Sequence, residues 1–565
     1  MNVRICRILS MVVVMAGFFA SPTLAQFGKN KVQYQRFEWR TIKTAHFDIH
    51  FAQGGEKLGA RAADSLESFY ARLVEKTGMR LEERVPLLIY NSHPKFQQTN
   101  VIDEILEEGI GGFTEIFKNR IAVPFAGSYR QFDHVLAHEM VHAVMFESMR
   151  QGAGSAITGA MTTRMPLWFS EGLAEYVSLD WDLSSEMWLI DAVTAGYLPM
   201  PTNEIQGFLA YRAGQNFLFY LDRTFGPGTV KKVVQHTLKD RDLEKALLSV
   251  TRVSLRDLGE EWIRELRWAY WPELGKREHG SKAGRKLTRA GEDGSYWNMQ
   301  PSISPDGTRI AWFSDRGTRQ GLYAGELESM PRKEPDQIHQ GGGTPSHESF
   351  SPFTSGLSWS PDGKRIVVAA LSGGRNVLSI VDAKTGSVKK TVDPRLDALS
   401  NPDWSPDGNL LVFRGVLNGQ ADLWTWDLRH DSLGRLTNDM GDDDEPGFSP
   451  GGRYVAWSTE SDNAGGIGHR AIWILDRRDG SRRLVSRTSG EETRPSFGGP
   501  SDDSAKLAFL SDRSGIPQVY LAANPFEPGA KAKPATNLLA GVQCPRLSRD
   551  GKRLAISLFE GGAFD

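Results

Sequence analysis

Six related segments in the second half of the chain constrain its fold more than any other feature. Most of them contain Ser-Pro-Asp-Gly or a close variant followed by an alternating apolar run, as in "SPDGTRIAWFS" at residues 304–314. Proline fixes φ and glycine supplies a left-handed conformation, so each copy is expected to form a β-hairpin. The copies recur about every 45–55 residues, a period typical of repeat architectures. They begin at Pro301, Gly356, Asn401, Glu445, Arg494 and Cys544.

A β-propeller is the architecture that these repeats predict. One such sheet cannot bury both of its faces, whereas a closed ring of sheets can. Further strands are expected after the hairpins, for example at residues 322–327 and 423–428. Six copies predict six blades. The outer strands of the sixth copy are missing, so either the last blade is incomplete or the sequence is a fragment of a longer chain. Residues 286–288, "KLT", are similar to the "RLT" at 435–437 and could help to close the ring.

The repeats resemble the WD40-like repeats of TolB-type propellers. The resemblance rests on "SPDG" followed by "SDRG" at 314–317 or "SDRSG" at 511–515. It implies an all-β propeller over residues 296–565, of a type associated with binding partners at the cell envelope. The tryptophans of the repeats are predicted to be core residues rather than ligand platforms. They are Trp312, Trp359, Trp404 and Trp457.

The first half of the chain has a different pattern, which is typical of a mixed α/β domain over residues 26–273. Strands are predicted at 85–92 and 119–127, and Pro124 makes the second either an edge strand or marks its end. Residues 274–295 are polar and rich in glycine, which predicts a linker between the two domains. Helices are predicted, from apolar residues at helical spacing, at 56–78, 128–149, 167–178, 211–225 and 255–271.

The length and the N-terminus indicate an exported protein with more than one domain. A chain of 565 residues exceeds what one hydrophobic core supports. Residues 1–25 have a basic start, an apolar run and small residues at their end, which predicts a cleaved signal peptide, with an uncleaved anchor as the alternative. The apolar run is shorter than the about 20 residues of a membrane span, so no transmembrane segment is predicted in the mature chain. That chain would be periplasmic or secreted.

Charge and cysteine content bear on nucleic-acid binding and on disulfide formation. The formal net charge of −2 gives no support for nucleic-acid binding. Cleavage of the signal peptide would leave Cys544 as the one cysteine, which excludes an intramolecular disulfide.

Residues 138–142, "HEMVH", form the pattern H-E-x-x-H on the helix predicted at 128–149. Because His138 and His142 are four residues apart, about 6 Å along a helix axis, both imidazoles can bind one metal ion. Glu139 lies beside them and can take a proton from a metal-bound water. A zinc ion that does chemistry also needs a third protein ligand and an open position.

Glu171 is the candidate for that third ligand. It follows His142 after 28 intervening residues, on the mostly apolar helix predicted at 167–178. An acid on such a stripe is costly unless it is paired or bound to a metal. Glu175, one turn further on, is a candidate acceptor for the N–H of a ligand histidine. His134 could act as a fourth ligand, but that would close the site, so a role behind the ligands or at the surface is preferred.

The pair "HEMVH" and "LWFSEGLAEY" resembles the gluzincin metallopeptidases, in particular the peptidase-MA-like group, which is related to the catalytic core of aminopeptidase N. The resemblance implies a thermolysin-like zincin fold of the α/β class. It also implies one Zn2+ ion with His138, His142 and Glu171 as ligands, and Glu139 as general base. The spacing to Glu171 is longer than in the aminopeptidases, and residues 151–166 are expected to fill it as a loop of small residues.

Two further segments fit the same resemblance. "AYRAGQNFLFYL" is similar to the segment whose tyrosine stabilises the developing oxyanion, which would be Tyr211 here. "GGFTEIFKNRIAVPF" is similar to the edge strand that pairs with the substrate backbone, and its Glu115 lies where aminopeptidases hold a free α-amine. The match around Glu115 is imperfect, so exopeptidase activity does not follow.

These features predict an exported zinc metallopeptidase that hydrolyses peptide bonds, with a propeller that controls access or binds partners. The alternative is a non-catalytic cell-envelope protein that uses its propeller as a protein-binding module, although the intact Glu139 argues against it. A serine peptidase is disfavoured because the chain has no G-x-S-x-G nucleophile elbow. The sequence does not decide the peptide or protein substrate, endo- versus exopeptidase specificity, or the oligomeric state.

Overall fold

The structure, a computed structural model, describes most of the chain after residue 30. The predicted signal peptide, residues 1–25, lies outside the described part. Among the described helices, none has both the length and the apolar composition that a membrane crossing requires. The described residues are 31–565 without 103–105, 152–154, 180, 182, 203–204, 318, 343, 345, 462–465, 528 and 540.

A five-stranded sheet organises the first half of the chain. Its order is β1-β2-β3-β5-β4, with β2, β3 and β5 parallel and the two outer strands antiparallel. The two predicted strands are confirmed with shorter bounds. β5 lies between β3 and β4, so it is not an edge strand, and that alternative is wrong. Pro124 is the last residue of β5, so the strand-end alternative is right. Proline has no backbone N–H, and the last residue of a strand does not need to donate one to its neighbour. The strands are β1 (Trp39–Lys43), β2 (Phe47–Ala52), β3 (Val85–Tyr90), β4 (Phe113–Glu115) and β5 (Arg120–Pro124).

Helices make up the rest of this half, and all five predicted helices are confirmed to within three residues at each end. The residues predicted as a loop at 151–166 include a short helix instead. Ser155 explains this difference, because its hydroxyl accepts from the backbone N–H of Thr158 and caps the first turn. The helices are α1 (Glu56–Thr77), α2 (His93–Phe96), α3 (Tyr129–Arg150), α4 (Ala156–Thr162), α5 (Leu167–Ser178), α6 (Leu183–Thr194), α7 (Phe208–Phe225), α8 (Thr229–Asp240), α9 (Leu243–Thr251), α10 (Leu255–Tyr270) and α11 (Gly280–Ala283).

Six antiparallel sheets, one for each predicted repeat, form the second half, which is a six-bladed propeller. The four repeat tryptophans are buried, as predicted. Blades 1 to 3 consist of β6 (Asn298–Ile303), β7 (Arg309–Ser314), β8 (Gly321–Glu326) and β9 (Asp336–Gln340); β10 (Ser349–Phe350), β11 (Leu357–Trp359), β12 (Arg365–Ser372), β13 (Arg375–Asp382) and β14 (Val388–Val392); and β15 (Ala398–Trp404), β16 (Leu410–Leu417), β17 (Gln420–Asp427) and β18 (Ser432–Arg435). Blades 4 to 6 consist of β19 (Asp443–Phe448), β20 (Tyr454–Ser461), β21 (Ile467–Asp476) and β22 (Arg482–Ser486); β23 (Glu492–Gly498), β24 (Lys506–Ser511), β25 (Gln518–Ala523) and β26 (Ala532–Pro534); and β27 (Val542–Leu547), β28 (Leu554–Glu560) and β29 (Ala563–Phe564).

The Ser-Pro-Asp-Gly turns have the hydrogen bonds that their sequence favours. In blade 1 the Ser304 hydroxyl donates to Asp306 at 2.6 Å and accepts from the backbone N–H of Arg309 at 2.9 Å. Gly307 has a φ of 73°, a conformation that glycine adopts without strain. The same serine and aspartate pairing recurs in blades 2, 3 and 6, so the repeated motif fixes the repeated hairpin.

The innermost strand of five blades contains a β-bulge. At each bulge one residue adopts a left-handed backbone conformation and is followed by proline. Proline has no N–H to donate, and a bulge is a place where the ladder of hydrogen bonds is interrupted anyway. These residues surround a narrow space of about 20 Å³ at the centre of the ring. They are Gln300, Asn401, Glu445, Arg494 and Cys544.

The ring closes between blades 6 and 1 with help from the predicted linker. Blade 6 has three described strands, as the incomplete last copy predicts. The Thr288 hydroxyl donates to Asp565 at 2.5 Å, and Lys286 forms an ion pair with the same carboxylate at 2.6 Å. A parallel bridge joins Trp297 of blade 1 to Phe564. Residues 286–288 thus contribute to closure through side chains, although they do not form a strand.

The first half of the chain lies against the propeller and makes polar contacts with several blades. Ser128 is the central example, because its Oγ accepts from the backbone N–H of Gln131 as the cap of α3 and donates to Glu460 of blade 4 at 2.5 Å. The hydroxyl of Tyr129 donates to the carbonyl of Gly419 at 2.6 Å. The start of α3 is therefore fixed by the propeller as well as by its own domain.

We predict a pH-dependent stability of the propeller from Asp443, which is fully buried in blade 4. Burial, aided by the charge of Asp439, raises its pKa to about 7, although Trp457 donates a hydrogen bond to it at 2.9 Å. A carboxyl with a raised folded-state pKa stabilises the fold below its unfolded pKa, and the contribution is lost as pH rises through about 7. Asp443→Asn should therefore be more stable than the wild type at pH 8, by about 1–3 kcal/mol, and lose that advantage near pH 4.

Thermal unfolding of both proteins across this pH range measures the difference. Asp427→Asn is the matched control, because local hydrogen bonds, led by that from His430, lower the pKa of Asp427 to about 2. A stability difference for Asp443→Asn that stays constant between pH 5 and pH 8 would contradict the prediction.

Candidate metal centre

His138, His142 and Glu171 meet at one point between α3 and α5. The two Nε2 atoms are 3.2 Å apart, and each is 3.2 Å from Oε2 of Glu171. Four-coordinate zinc with bonds of about 2.0–2.1 Å separates its ligand atoms by about 3.3 Å. The two imidazoles and the carboxylate thus have the donor types and the spacing that fit a zinc ion.

Local sequence explains how the three ligands come together. The two histidines are one turn apart on α3, so their rings lie one above the other. Gly172, next to Glu171, allows α5 to pack directly on α7: a Cβ there would lie 2.4 Å from the carbonyl carbon of Gly214. A Cβ at Gly214 would lie 1.8 Å from the carbonyl oxygen of Trp168. The two glycines therefore set the distance between the helix that carries Glu171 and the helix that carries Tyr211.

A second layer of contacts centres on Glu175, whose side chain is buried. Its Oε1 lies 2.9 Å from Nδ1 of His138 and 3.3 Å from Nε2 of His134, and its Oε2 accepts from Arg212 at 2.7 Å. Glu175 thus lies against the nitrogen of His138 that faces away from Glu171, and His134 contacts the same carboxylate. The role of Glu175 behind a zinc ligand stays a prediction. Arg212 completes the set.

Electrostatics make this cluster a good environment for a cation. Burial opposes the charged form of His138, but the carboxylates of Glu171 and Glu175 outweigh it and raise its pKa to about 10. Burial also opposes ionisation of Glu171, yet its contacts with His138 and His142 hold its pKa well below the usual range. The carboxylates of Glu171 and Glu175 therefore favour positive charge at this position, and a divalent ion can supply that charge in place of protons on the histidines.

Glu139 is held in place by a residue that the sequence did not identify. The hydroxyl of Thr114, on β4, lies 2.8 Å from Oε2 of Glu139 and 2.9 Å from its backbone carbonyl oxygen. The Glu139 side chain is buried beside the two histidines of the same helix. The carboxylate thus has a fixed orientation next to the candidate metal position.

Tyr211 lies on the other side of the cluster, in the first turn of α7. Its ring is stacked on that of His138, with a centroid distance of 5.8 Å and an angle of 17°. Burial, together with the negative charges of Glu171 and Glu139 and a hydrogen bond to Glu171, raises its pKa well above the usual value. The phenol is therefore protonated at neutral pH and can donate a hydrogen bond.

Glu115 has structural partners rather than a free carboxylate. Its Oε1 accepts from the backbone N–H of Phe117 at 2.5 Å, and its Oε2 accepts from Arg120 at 2.9 Å. The side chain is buried on β4. The predicted role of Glu115 as an anchor for a free α-amine stays a prediction.

Two residues that reach the site from elements distant in sequence were not predicted, Thr114 and Arg212. Thr114 reaches Glu139 from an edge strand, and Arg212 reaches Glu175 from α7. A partial signal exists for Arg212, since it is the residue after the predicted Tyr211. No signal in the sequence distinguishes Thr114 from a surface threonine of a strand.

Comparisons with known proteins concern the propeller. The family described as the TolB beta propeller domain matches residues 347–467. The propeller is of the TolB type. An uncharacterized protein of Agrobacterium fabrum is 27% identical over 216 residues, which cover 37% of this chain and 64% of that protein. The Tol-Pal system protein TolB of Francisella tularensis is 27% identical over 124 residues, covering 22% of this chain and 27% of that protein. The chain therefore spans less than two thirds of the length of either relative.

Solved structures give similar matches. A structure assigned to TolB of Agrobacterium tumefaciens has 20% identity and a TM-score of 0.37, covering 47% of this chain and 91% of that chain. TolB of Acinetobacter baumannii has 19% identity and a TM-score of 0.34, covering 49% of this chain and 64% of that chain. The predicted TolB-type resemblance is thus confirmed by the family match, while the gluzincin resemblance of the first half stays a prediction.

We predict that Glu175→Gln weakens zinc binding by about 10–100-fold, because the amide no longer balances the charges of Arg212 and His138. Competition with a chromogenic chelator measures the affinity. Glu147→Gln is the matched control: Glu147 is also a buried carboxylate on the ligand helix, but it pairs with Arg150 at 2.6 Å. Equal zinc affinity in the wild type and the two variants would show that Glu175 does not support the ligands.

Proposed function

We propose that this protein is an exported zinc-dependent peptidase whose first half carries the chemistry. The observation that carries the proposal is the triangle of His138, His142 and Glu171 donor atoms, 3.2 Å on each side, with the Glu139 carboxylate beside it. These two imidazoles and one carboxylate would hold a zinc ion and leave it able to bind water or substrate as well. This is the donor set of catalytic rather than structural zinc sites.

Different residues of the site would carry out different steps of peptide-bond hydrolysis. Zinc in this site would acidify a water molecule and polarise the carbonyl of the scissile bond. Glu139 takes the proton from the attacking water and passes it to the leaving amine, and Thr114 holds Glu139 in the orientation this requires. Tyr211 donates its phenolic proton in a hydrogen bond to the oxygen that becomes negative.

The edge strand β4 supports a peptide as the substrate class. It pairs with β5 on one side, and among the described strands no other strand pairs with its opposite side. An extended peptide can add to such an edge through main-chain hydrogen bonds. Thr114 lies on this strand and contacts Glu139, so a peptide added there would run beside the proposed general base.

We predict that Glu139→Gln lowers kcat/KM for peptide hydrolysis by about 10²–10⁴-fold, because the amide cannot accept the proton of the water. Zinc should remain bound at one ion per chain, since Glu139 is not one of the three ligands. Mass spectrometry of a digested peptide library measures cleavage and its positions, with chelation and readdition of zinc as the control. A variant that cleaves the same bonds at the wild-type rate would refute the assignment.

Tyr211→Phe is expected to lower kcat by about 10²–10³-fold with little change in KM or in zinc affinity. The physical reason is that the hydroxyl is removed while the ring that stacks on His138 remains. Steady-state kinetics on one peptide identified in the library experiment measures the split between kcat and KM. A rise in KM at constant kcat would assign the hydroxyl to substrate binding instead.

Protein binding in the cell envelope is a second candidate function, and the comparisons favour it over hydrolysis because what they support is the TolB-type propeller. The relatives named as TolB belong to a Tol-Pal system, which supports a periplasmic location and a protein partner for the propeller. A wild type that binds zinc and cuts no peptide, but binds an envelope protein through its propeller, would establish this function. Loss of cleavage in Glu139→Gln would establish the first.

A further inference from the structure

The hairpin between β28 and β29 of blade 6 is fixed to the first half of the chain by one buried carboxylate. Asp191, on α6, accepts from the backbone N–H of Gly561 at 2.9 Å and from that of Gly562 at 2.8 Å. The hydroxyl of Tyr197 also donates to it, at 2.6 Å. Both glycines have positive φ, so the tip of the hairpin turns its N–H groups towards α6.

A row of aromatic rings runs from this hairpin to the candidate metal centre. Phe559 of β28 lies 4.2 Å from Trp188 of α6, and Trp188 lies 4.7 Å from Phe208, as measured between ring centroids. Phe208 is stacked on Tyr211 at 5.9 Å, and Tyr211 is stacked on His138 at 5.8 Å. Each ring contacts the next, so the row connects the propeller with a proposed zinc ligand.

Phe208 also connects the row to the second layer of the site. The guanidinium of Arg212 lies 4.8 Å from the centre of the Phe208 ring, and the same side chain donates to Glu175 at 2.7 Å. Glu175 in turn lies 2.9 Å from Nδ1 of His138. Phe208 therefore contacts both Tyr211 and the side chain that donates to Glu175.

The first turn of α7 has little local support. Its N-cap is Gly207, with a φ of 61° and no side chain to accept from the free backbone N–H groups. Phe208 is partly exposed, with Trp188 among its ring contacts. Packing against α6 thus contributes to the position of Tyr211 in this turn, together with the packing of α7 on α5, and α6 in turn contacts blade 6.

We propose that blade 6 of the propeller positions Tyr211 for catalysis through Asp191, Trp188 and Phe208. This inference rests on the proposed peptidase function and deepens it, because it makes docking of the propeller a condition for full turnover. Packed interiors move between discrete arrangements rather than bending continuously. A shift of about 1 Å in a group that stabilises the transition state can lower a rate about 100-fold. The three residues act through Tyr211 and are positioning residues, not catalytic ones.

The test is a double-mutant cycle in the full-length chain between Trp188→Ala and Tyr211→Phe. Trp188→Ala should lower kcat about 10-fold without a comparable change in zinc affinity or KM, since it leaves every ligand in place. In the Tyr211→Phe background the same change should lower kcat less than about 2-fold, because the hydroxyl it displaces is already absent. Independent effects that multiply would overturn the proposal.

Two further variants distinguish a local displacement of Tyr211 from a general loss of folding. Asp191→Asn keeps the volume of the side chain but puts an N–H₂ group against one of the two glycine N–H groups, and Trp188→Phe keeps an aromatic ring in the row. Asp191→Asn should lower kcat in the same way as Trp188→Ala, and Trp188→Phe should restore most of it. Lys95→Ala is the matched control, because it removes another contact between the two halves, the 2.5 Å ion pair with Asp397, without touching the row.

Hydrogen exchange of residues 208–214 provides a readout that needs no activity. Exchange there should become faster in Asp191→Asn and in Trp188→Ala, and remain at the wild-type rate in Lys95→Ala. Unchanged exchange in the first two variants would overturn the proposal even if the wild type cleaves peptides. If the wild type cleaves none, the proposed function fails, and the exchange rates still decide whether blade 6 holds Tyr211.

Discussion

One buried carboxylate, that of Glu175, holds together the three helices on which the candidate metal centre depends. Its partners are His134 and His138 on α3 and Arg212 on α7, while Glu175 itself belongs to α5. A charge removed from water is tolerated only when it is paired and hydrogen-bonded, and attraction between charges is stronger in a low dielectric. These contacts bring residues of the three helices together at one point. The proposed ligand Glu171 and the proposed hydrogen-bond donor Tyr211 lie within one turn of that point on α5 and α7.

The convergence of the three proposed zinc ligands was predictable because the rules that place these residues are local. Helical periodicity alone puts His138 and His142 on one face of α3, and an acid on an apolar stripe marks Glu171. Thr114 could not be found this way, since its role depends on how the edge of a sheet meets a helix that follows it in sequence. Glu115 was predicted from a family resemblance alone, and its ion pair with Arg120 on the same hairpin could not be inferred from that resemblance.

The repeated turn motif was the most informative signal for the fold, and local amino-acid composition was the least informative. The number of blades could be predicted from the number of copies, because each copy contains its own hairpin. Small residues at 151–166 suggested a loop, but a single capping serine allows a helix there. The segment predicted as a linker also does more than connect the two domains. Thr288 donates a hydrogen bond to Asp565 of blade 6, and Lys286 forms an ion pair with the same carboxylate. The contacts of a polar residue depend on the tertiary fold, which its type does not reveal.

The bulges of the propeller have a consequence for how neighbouring blades are held together. Each places one non-glycine residue at the axis in a left-handed conformation, and the proline after it needs no partner in the ladder. The side chain of such a residue then bonds to a neighbouring blade. Asn401 of blade 3 accepts from the backbone N–H of Gly356, next to β11 of blade 2, and donates to Asp444 of blade 4. Arg494 of blade 5 forms an ion pair with Glu445 of blade 4. The polar lining of the axis is therefore part of what holds neighbouring blades together.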